Sequence, residues 1–480
     1  MRKTKIVCTM GPACRNEDMI SQMIDEGMNV ARLNFSHGDH EYHAGTIEML
    51  KKMRDEKHVP LSILLDTKGP EIRIGCFKKG SITLKEGDEF TLTPKEIEGD
   101  GKRVYVTYEK LGSQLTPGAT LLLDDGNLEF RVKKIVDGDV VCEVINGGEL
   151  SDRKSINIPS VHIDMPYLSE SDRSDIVFGI QQDVDFVAAS FVRSKEDVIE
   201  LRKFMDYHGG HDIRIISKIE NLEGVANFDE ILDHSDGIMV ARGDMGVEVE
   251  FERLPGLQKR FIRKCYRAGK MVITATQMLE SIITHPNPTR AEITDVANAV
   301  FDGTSAVMLS GETAVGKFPV RAVSVMAKIA LQAEKDAFEM DYYYDIKHTV
   351  DTTDNTNAVC DAACTMAKDL SAKAIIALTK YGDTARKMSR FRPKEPVVAS
   401  TPVQKTFHQL SLSWGVYPVL ALYQSTSNEL FMHAIDCAKQ IDVVENGDIV
   451  VIAGGMPLGV TGNTNILKVE VVGRGNCEFV

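Results

Sequence analysis

"RIISKIENLEGVANFDEILDHSDGIMVARGD", residues 214 to 244, opens on an apolar run, passes through a stretch with helix-like spacing and closes on a second apolar run. Continuous apolar runs separated by helical patterns mark parallel strands joined by helices, because a strand covered on both faces has no polar side. The rhythm recurs along the chain: "KIVCTM", "VARLNFS", "SILLDT", "FVAASFV", "RIISKIE", "GIMVARGD", "VITATQM" and "AVMLS" make eight such runs. Eight parallel βα units predict a closed (β/α)8 barrel. One detail of the opening stretch resists a packing explanation. Ile215 and Ile216 read as buried strand, yet Lys218 and Glu220 follow two positions apart, which puts both charges on one face. An exposed edge strand would account for them, and so would an active site.

The rhythm breaks between Asp66 and Phe186. There "KKGSITLKEGDEFTLTP", "RVYVTY" and "GATLLLDDGNLEFRVKKIVDGDVVCEVINGG" alternate apolar and polar residues between Gly and Asp turns. That alternation predicts a small inserted β-barrel over residues 70–166, dividing the larger barrel into 1–69 and 167–345. An insertion after the third strand emerges at the catalytic rim, where it acts as a lid. After the tyrosine-rich "MDYYYDIK", "NAVCDAACTMAKDL" carries apolar residues at helical spacing, and "AIIALT", "PVVAST", "VYPVLAL" and "DIVVIAGG" read as strands. Residues 346–480 are therefore expected to form a separate α/β domain.

Composition narrows the partners. The chain of 480 residues is 43% hydrophobic and 26% charged, with a formal charge of -14. It exceeds one core, and about three domains are expected at roughly 150 residues each. The acidic balance argues against a nucleic-acid footprint and leaves small anionic ligands open to local basic residues. Nine cysteines without a C-x2-C pair suit a reducing compartment. The apolar run near the start is too short for a signal peptide, and no stretch approaches a membrane span, so a soluble cytoplasmic protein is expected.

In a (β/α)8 barrel the C-terminal strand ends converge on one rim. Here they read Arg32, Asn34 and Ser36; Asp66 and Thr67; Lys218 and Glu220; Arg242, Gly243 and Asp244; Thr276 and Gln277. Glu220 and Asp244, from adjacent strands, suit a hard divalent cation, Mg2+ or Mn2+. Lys218 alone fits charge stabilisation or a Schiff base. Beside it, Arg32 and Arg73 suit phosphate or carboxylate, and Asn34, Ser36, Asp66 and Thr67 suit a monovalent cation near a phosphate. A lysine in that company points to phosphoryl transfer.

Three motifs mislead. "GETAVGKF", Gly311 to Phe318, has the G-x4-G-K spacing but Phe where a P-loop needs Ser or Thr. His37, His40 and His43 lack a zinc pattern and read better as a solvated helix face. "RGDMG", Arg242 to Gly246, directly follows "GIMVA" and reads as a turn leaving a strand, in which Gly243 lets backbone N–H groups approach a ligand.

The motifs "KIVCTMGPA", "NVARLNFSHG", "LLDTKGPEIR", "ISKIEN", "DGIMVARGDMGVE", "TATQMLESI", "PTRAEITDVANAVFDGTSAVMLSGETA" and a final "TGNTN" resemble the bacterial pyruvate kinase family from end to end and in order. The resemblance implies phosphoryl transfer from phosphoenolpyruvate to ADP, giving pyruvate and ATP, with Mg2+ and K+. It gives Lys218 the transferring phosphoryl group, Glu220 and Asp244 the divalent ion, and Arg32 the substrate phosphate. Asn34, Ser36, Asp66 and Thr67 match the K+ ligands. Asn34, Phe35, Ser36, His37, Arg73 and Lys154 match nucleotide-contacting positions. Gly243, Asp244 and Thr276 match the substrate carboxylate site, Thr276 also standing near the carbon that is protonated. Glu71 matches the position where an acidic residue accompanies K+ dependence. The C-terminal domain resembles the family's allosteric domain, and "TKYGDTARK" places Thr379, Lys380, Gly382 and Thr384 as a phosphate cradle for a sugar-phosphate or AMP effector. Asp383 stands there where a basic residue is often seen, which leaves the effector's identity open, and an ordinary α/β turn remains the alternative. A homotetramer is implied as well. Two other functions remain open: an enolate aldolase or other phosphoenolpyruvate-using phosphotransferase on the same barrel, and a silent ligand sensor.

Overall fold

The computed structural model describes residues 1–159, 161–343, 354–457 and 462–474. All eight expected strands form: β1 (Lys5–Thr9), β2 (Val30–Asn34), β3 (Ser62–Asp66), β13 (Phe186–Ala189), β14 (Arg214–Ile219), β15 (Gly237–Ala241), β16 (Met271–Ala275) and β17 (Ala306–Leu309). They close in the order β1-β17-β16-β15-β14-β13-β3-β2, and every pairing is parallel. Side chains inside the barrel, among them Val7, Leu64, Phe186, Ile216 and Ile273, form one buried cluster, while alternate residues such as Ile63, Ile215 and Val272 pack outward under the helices. This two-sided burial is why the runs were continuous rather than alternating. The helices carry their own signals: Leu254–Arg267 turns Leu257, Phe261, Ile262 and Cys265 inward, and Arg290–Phe301 starts on a capping box of Thr289 and Glu292.

The insertion holds β4 (Ile72–Arg73), β5 (Ser81–Leu84), β6 (Glu89–Thr93), β7 (Arg103–Tyr105), β8 (Thr120–Leu123), β9 (Leu128–Val136), β10 (Asp139–Asn146), β11 (Gly148–Ser151) and β12 (Ser155–Asn157). Seven of these pair in the order β4-β12-β8-β9-β10-β6-β7, and β5 pairs with β11. A bridge between Ile74 and Val106 joins the two ends of that order. Backbone bonds from Gly75 N to Tyr105 O at 2.8 Å and from Thr107 N to Arg73 O at 2.9 Å flank it, closing a small barrel. Phe90 and Phe130 meet edge to face in its core, 5.7 Å apart.

The C-terminal sheet runs β20 (Val416–Leu420), β19 (Val397–Thr401), β18 (Ala374–Leu378), β21 (Ile449–Gly454), β22 (Ile466–Val471). The first four are the expected strands. The fifth, β22, is an addition to the reading: it lies antiparallel on β21 at the sheet's edge and is mostly half-buried, so it lacks the continuous apolar pattern of its neighbours. The expected boundary at 345/346 lies outside the described residues, as does Thr461 of the "TGNTN" loop.

This domain plugs the barrel from below. Leu412 joins the interior cluster of the barrel. Lys5 Nζ donates to Val416 O at 2.7 Å, Ser62 Oγ to His408 O at 2.6 Å, and Gln409 Nε2 to Asp185 O at 3.1 Å. Among the described residues no helix is long and apolar enough to cross a membrane, and the eight of the nine cysteines that lie among them are free thiols.

Candidate active site

Lys218 and Glu220 lie at the open upper end of β14, and neither is at an exposed edge: Lys218 is 8% and Glu220 0% exposed. Sharing a strand face, they stand 2.9 Å apart, Nζ to Oε1. Lys218 Nζ also donates to Asp66 Oδ1 at 3.1 Å and Ser190 Oγ at 2.7 Å. Asp66 Oδ2 accepts from Arg32 Nε at 2.5 Å, and Arg32 Nη1 donates to Thr9 Oγ1 at 2.9 Å. Two cations and two carboxylates therefore alternate, Arg32, Asp66, Lys218, Glu220, in a buried row.

The row sets its own protonation. Burial alone would raise the Asp66 carboxyl, but Arg32 and Lys218 outweigh it and hold the group below its ordinary value. Burial would likewise depress the Lys218 ammonium, and Asp66 with Glu220 reverses that, keeping the cation. Glu220 is raised, chiefly by burial and against the pull of Lys218, with the Asp244 charge adding to the rise. A carboxylate held up by burial and by a second carboxylate gains most from a cation brought between the two.

Asp244 sits in the first turn of the helix Arg242–Glu248, directly after β15. Among the described residues no group of three or more His, Cys, Asp or Glu side chains is arranged to hold a metal. Two carboxylates suit Mg2+, which keeps waters or substrate oxygens in its remaining positions. For a monovalent cation, Asn34 ends β2 in register with Asp66. Asn34 Oδ1 accepts from Ser36 N at 3.1 Å, and Phe35 N donates to Asp66 O at 3.0 Å. Asp66 accepts three side-chain bonds, from Arg32, Lys218 and Ser190. A carboxylate has about four acceptor sites, so the oxygen set retains capacity for an ion.

The next two strand ends are also joined. Thr276 and Gln277 take positive φ, 68° and 53°, a strained pair for non-glycine residues. Thr276 Oγ1 donates to Ala275 O at 2.6 Å and accepts the Gly243 N–H at 2.8 Å. Arg242 pins the turn, donating to Thr276 O at 2.6 Å and pairing with Asp295 at 2.7 Å. "RGDMG" therefore opens a helix directly after β15 rather than the loop turn expected from the sequence, and its Gly243 N–H is taken up by Thr276 Oγ1.

Arg73 and Lys154 lie on the inserted barrel, at the paired strands β4 and β12. They are held locally, Arg73 by Glu71 at 2.7 Å and Lys154 by Asp124 at 2.6 Å, rather than brought against Asn34, Phe35, Ser36 and His37. A cleft of about 620 Å³ separates the inserted barrel from the rim, lined by Glu71, Asp125 and Asn157 on one side and Asn221, Asp244 and Glu248 on the other.

The expected solvated face at His37, His40 and His43 is corrected. His37 is exposed, but His43 is buried against Phe35, ring centroids 4.0 Å apart, and His40 stacks on Phe178 and reaches Asp175 at 2.7 Å. His40 and His43 are packing histidines. In "GETAVGKF" the Glu312 carboxylate accepts from Leu279 N at 3.0 Å and Ser310 N at 2.7 Å, filling the turn with its own side chain. In the C-terminal domain Thr379 Oγ1 accepts the Gly382 N–H at 2.9 Å, Lys380 O accepts from Thr401 Oγ1 at 3.2 Å, and Thr384 Oγ1 meets Thr464 Oγ1 at 2.7 Å. Asp383 pairs with Arg386 at 2.8 Å. Sequence reasoning missed Ser190 and Thr9. Both stand at strand ends, the signal that found the others, but a lone Ser or Thr carries no charge to draw attention.

The model of the family described as "Pyruvate kinase, barrel domain" matches residues 1–323, and that described as "Pyruvate kinase, alpha/beta domain" matches residues 357–470. A pyruvate kinase of Clostridium perfringens is 47% identical over 477 residues, covering 98% of this chain and 100% of the relative. One of Geobacillus stearothermophilus is 46% identical over 473 residues, covering 98% of this chain and 80% of the relative. A crystal structure of a pyruvate kinase from Cryptosporidium parvum matches with a TM-score of 0.92 at 41% identity, over 98% of this chain and 96% of that one. With both family models, near full-length relatives and a matching fold in agreement, the chain belongs to the pyruvate kinase family.

Proposed function

We propose that the protein transfers the phosphoryl group of phosphoenolpyruvate to ADP, giving pyruvate and ATP in the last step of glycolysis. The buried row Arg32, Asp66, Lys218, Glu220 at the barrel rim carries the reading. Phosphoryl transfer passes through a loose, charge-spread transition state, so it needs positioned cations more than covalent help. Lys218, kept protonated between two carboxylates, meets the transferring group, and Arg32 the substrate phosphate. A divalent ion, Mg2+ or Mn2+, at Glu220 and Asp244 and K+ at Asn34, Ser36, Asp66 and Thr67 would neutralise phosphate and enolate charge. Gly243, Asp244 and Thr276 take the substrate carboxylate. Thr276 stands at the carbon that gains a proton and orients a water relay, because an unperturbed hydroxyl is itself a poor acid.

The inserted barrel, residues 70–166, serves as a lid bringing Arg73 and Lys154 to a nucleotide held at Asn34, Phe35, Ser36 and His37; the core barrel comprises 1–69 and 167–345. Residues 346–480 are regulatory, with Thr379, Lys380, Gly382 and Thr384 as a cradle for a sugar phosphate or AMP. The protein works in the cytoplasm as a homotetramer, a state that sedimentation velocity reads directly. The deciding experiment is a coupled assay in which pyruvate forms from phosphoenolpyruvate only when ADP is present. Run with K+ or with a large organic cation, it should show turnover only with K+; equal rates remove the monovalent site. An effector is identified when it turns a sigmoidal phosphoenolpyruvate curve hyperbolic.

A further inference from the structure

The corner at the end of β13 has no role in the account above, yet each polar atom of Ser190 is engaged. Its Oγ accepts from Lys218 Nζ at 2.7 Å and lies 2.7 Å from Thr67 O and 3.1 Å from Asp66 Oδ1. A serine hydroxyl has one proton to give, so it donates toward the Asp66–Thr67 segment while accepting from the lysine. Its N–H donates to Thr67 Oγ1 at 3.2 Å, and its carbonyl accepts from Tyr167 Oη at 3.1 Å. Thr67 and Tyr167 are where the chain leaves the large barrel for the inserted one and where it returns. Gly69, on the outgoing connection, packs so closely that a Cβ there would stand 2.9 Å from Ser190 O and 3.0 Å from Ser190 Cβ. The next residue, Phe191, takes φ 53° and donates its N–H to Glu220 Oε2 at 2.6 Å. Such strain in an aromatic residue persists only where its surroundings over-determine it. Both connections of the insertion therefore converge on Ser190, which holds Lys218 together with Asp66 and Glu220.

We propose that Ser190 is a positioning residue that ties both connections of the inserted barrel to the Lys218 ammonium, so that the seating of the insertion sets where the cation meets the phosphoryl group. The inference rests on the reading of Lys218 as the phosphoryl-stabilising group. A purely structural role would tie the same backbone together, but it would not single out the lysine. Ser190→Ala deletes only the hydroxyl, and Tyr167→Phe only the bond to the Ser190 carbonyl.

Wild-type protein is assayed first for ADP-dependent pyruvate formation; absence of that activity sinks the functional reading and the inference with it. Given activity, Ser190→Ala is expected to lower kcat about 10- to 100-fold, the loss typical of a hydrogen bond to a charged group. KM for phosphoenolpyruvate should move less than kcat, Ser190→Thr should restore most of the rate, and amide exchange should rise across residues 67–70. Tyr167→Phe should lower kcat in the same direction and by less. A Ser190→Ala enzyme with kcat within about twofold of wild type overturns the proposal while leaving the functional reading intact. Loss of thermal stability with kcat unchanged relative to the folded fraction also overturns it, in favour of packing. Should Ser190→Thr not fold, the comparison of kcat with folded fraction in Ser190→Ala decides alone.

Discussion

At the scale of single residues, the row Arg32, Asp66, Lys218, Glu220 is a poor investment in stability. Burying paired charges costs desolvation that their mutual attraction repays only with good geometry, and apolar replacements are often as stable. Geometry is good here, with contacts of 2.5 to 3.1 Å, but the arrangement makes more sense as a device that keeps Lys218 charged where phosphate charge must be met. Lys218→Met should therefore lower kcat about 10²- to 10³-fold, the loss seen when one electrostatic contact to a transition state is removed. The fold should survive, because Asp66 keeps Arg32 and Glu220, already pushed up by burial, can take a proton. Steady-state kinetics beside circular dichroism checks both halves, and unchanged turnover would remove Lys218 from the chemistry. Identity of residue was enough to nominate Lys218, Glu220 and Asp244; their charge states needed the neighbours.

At the scale of elements, the strand ends do the positioning and the connections between them set how the insertion sits. Gly69 takes φ 77° with Ser190 against it, so a side chain there meets both backbone strain and a backbone oxygen. Gly69→Ala should cost about 1 to 3 kcal/mol, read as a lower urea midpoint, and should slow turnover because the hinge can no longer seat on Ser190. An unchanged midpoint and rate would show that the connection tolerates displacement. The eight barrel strands were legible because each is buried on both faces and so is continuously apolar. The closure of the inserted barrel was less so, resting on a single bridge between Ile74 and Val106. The edge strand β22 escaped because one partner and partial exposure leave little pattern to read.

At the scale of the whole molecule, the C-terminal domain is joined to the underside of the barrel by buried polar contacts, and His408, whose carbonyl accepts one of them from Ser62, carries a buried imidazole. His408 is 3% exposed and bonds Gln404 Nε2 at 2.8 Å. Burial, with Arg54 and Lys405 adding, pushes its imidazole down from 6.5 to about 3. The unfolded chain therefore takes up a proton below about pH 6.5 that the folded chain refuses until about pH 3, and stability falls as pH falls through that window. The penalty is on the order of 2 kcal/mol at pH 5 and vanishes above neutrality. Urea denaturation of His408→Gln and wild type at about pH 7.5 and 5 should show the variant losing less on acidification; equal losses would mean that the His408 imidazole does not set the acid sensitivity. Order along the chain by itself determined the (β/α)8 barrel, its insertion and the polar residues at the strand ends, because burial on two faces and strand termination are local properties written in periodicity; the family came from the resemblance of its motifs. Only the tertiary structure decided that Asp66 and Lys218, 152 positions apart, share a proton-rich contact, that Ser190 sits at their junction, and that His40 and His43 are packing residues. Barrel closure and stacking bring these groups together across the chain, and no periodicity carries that distance.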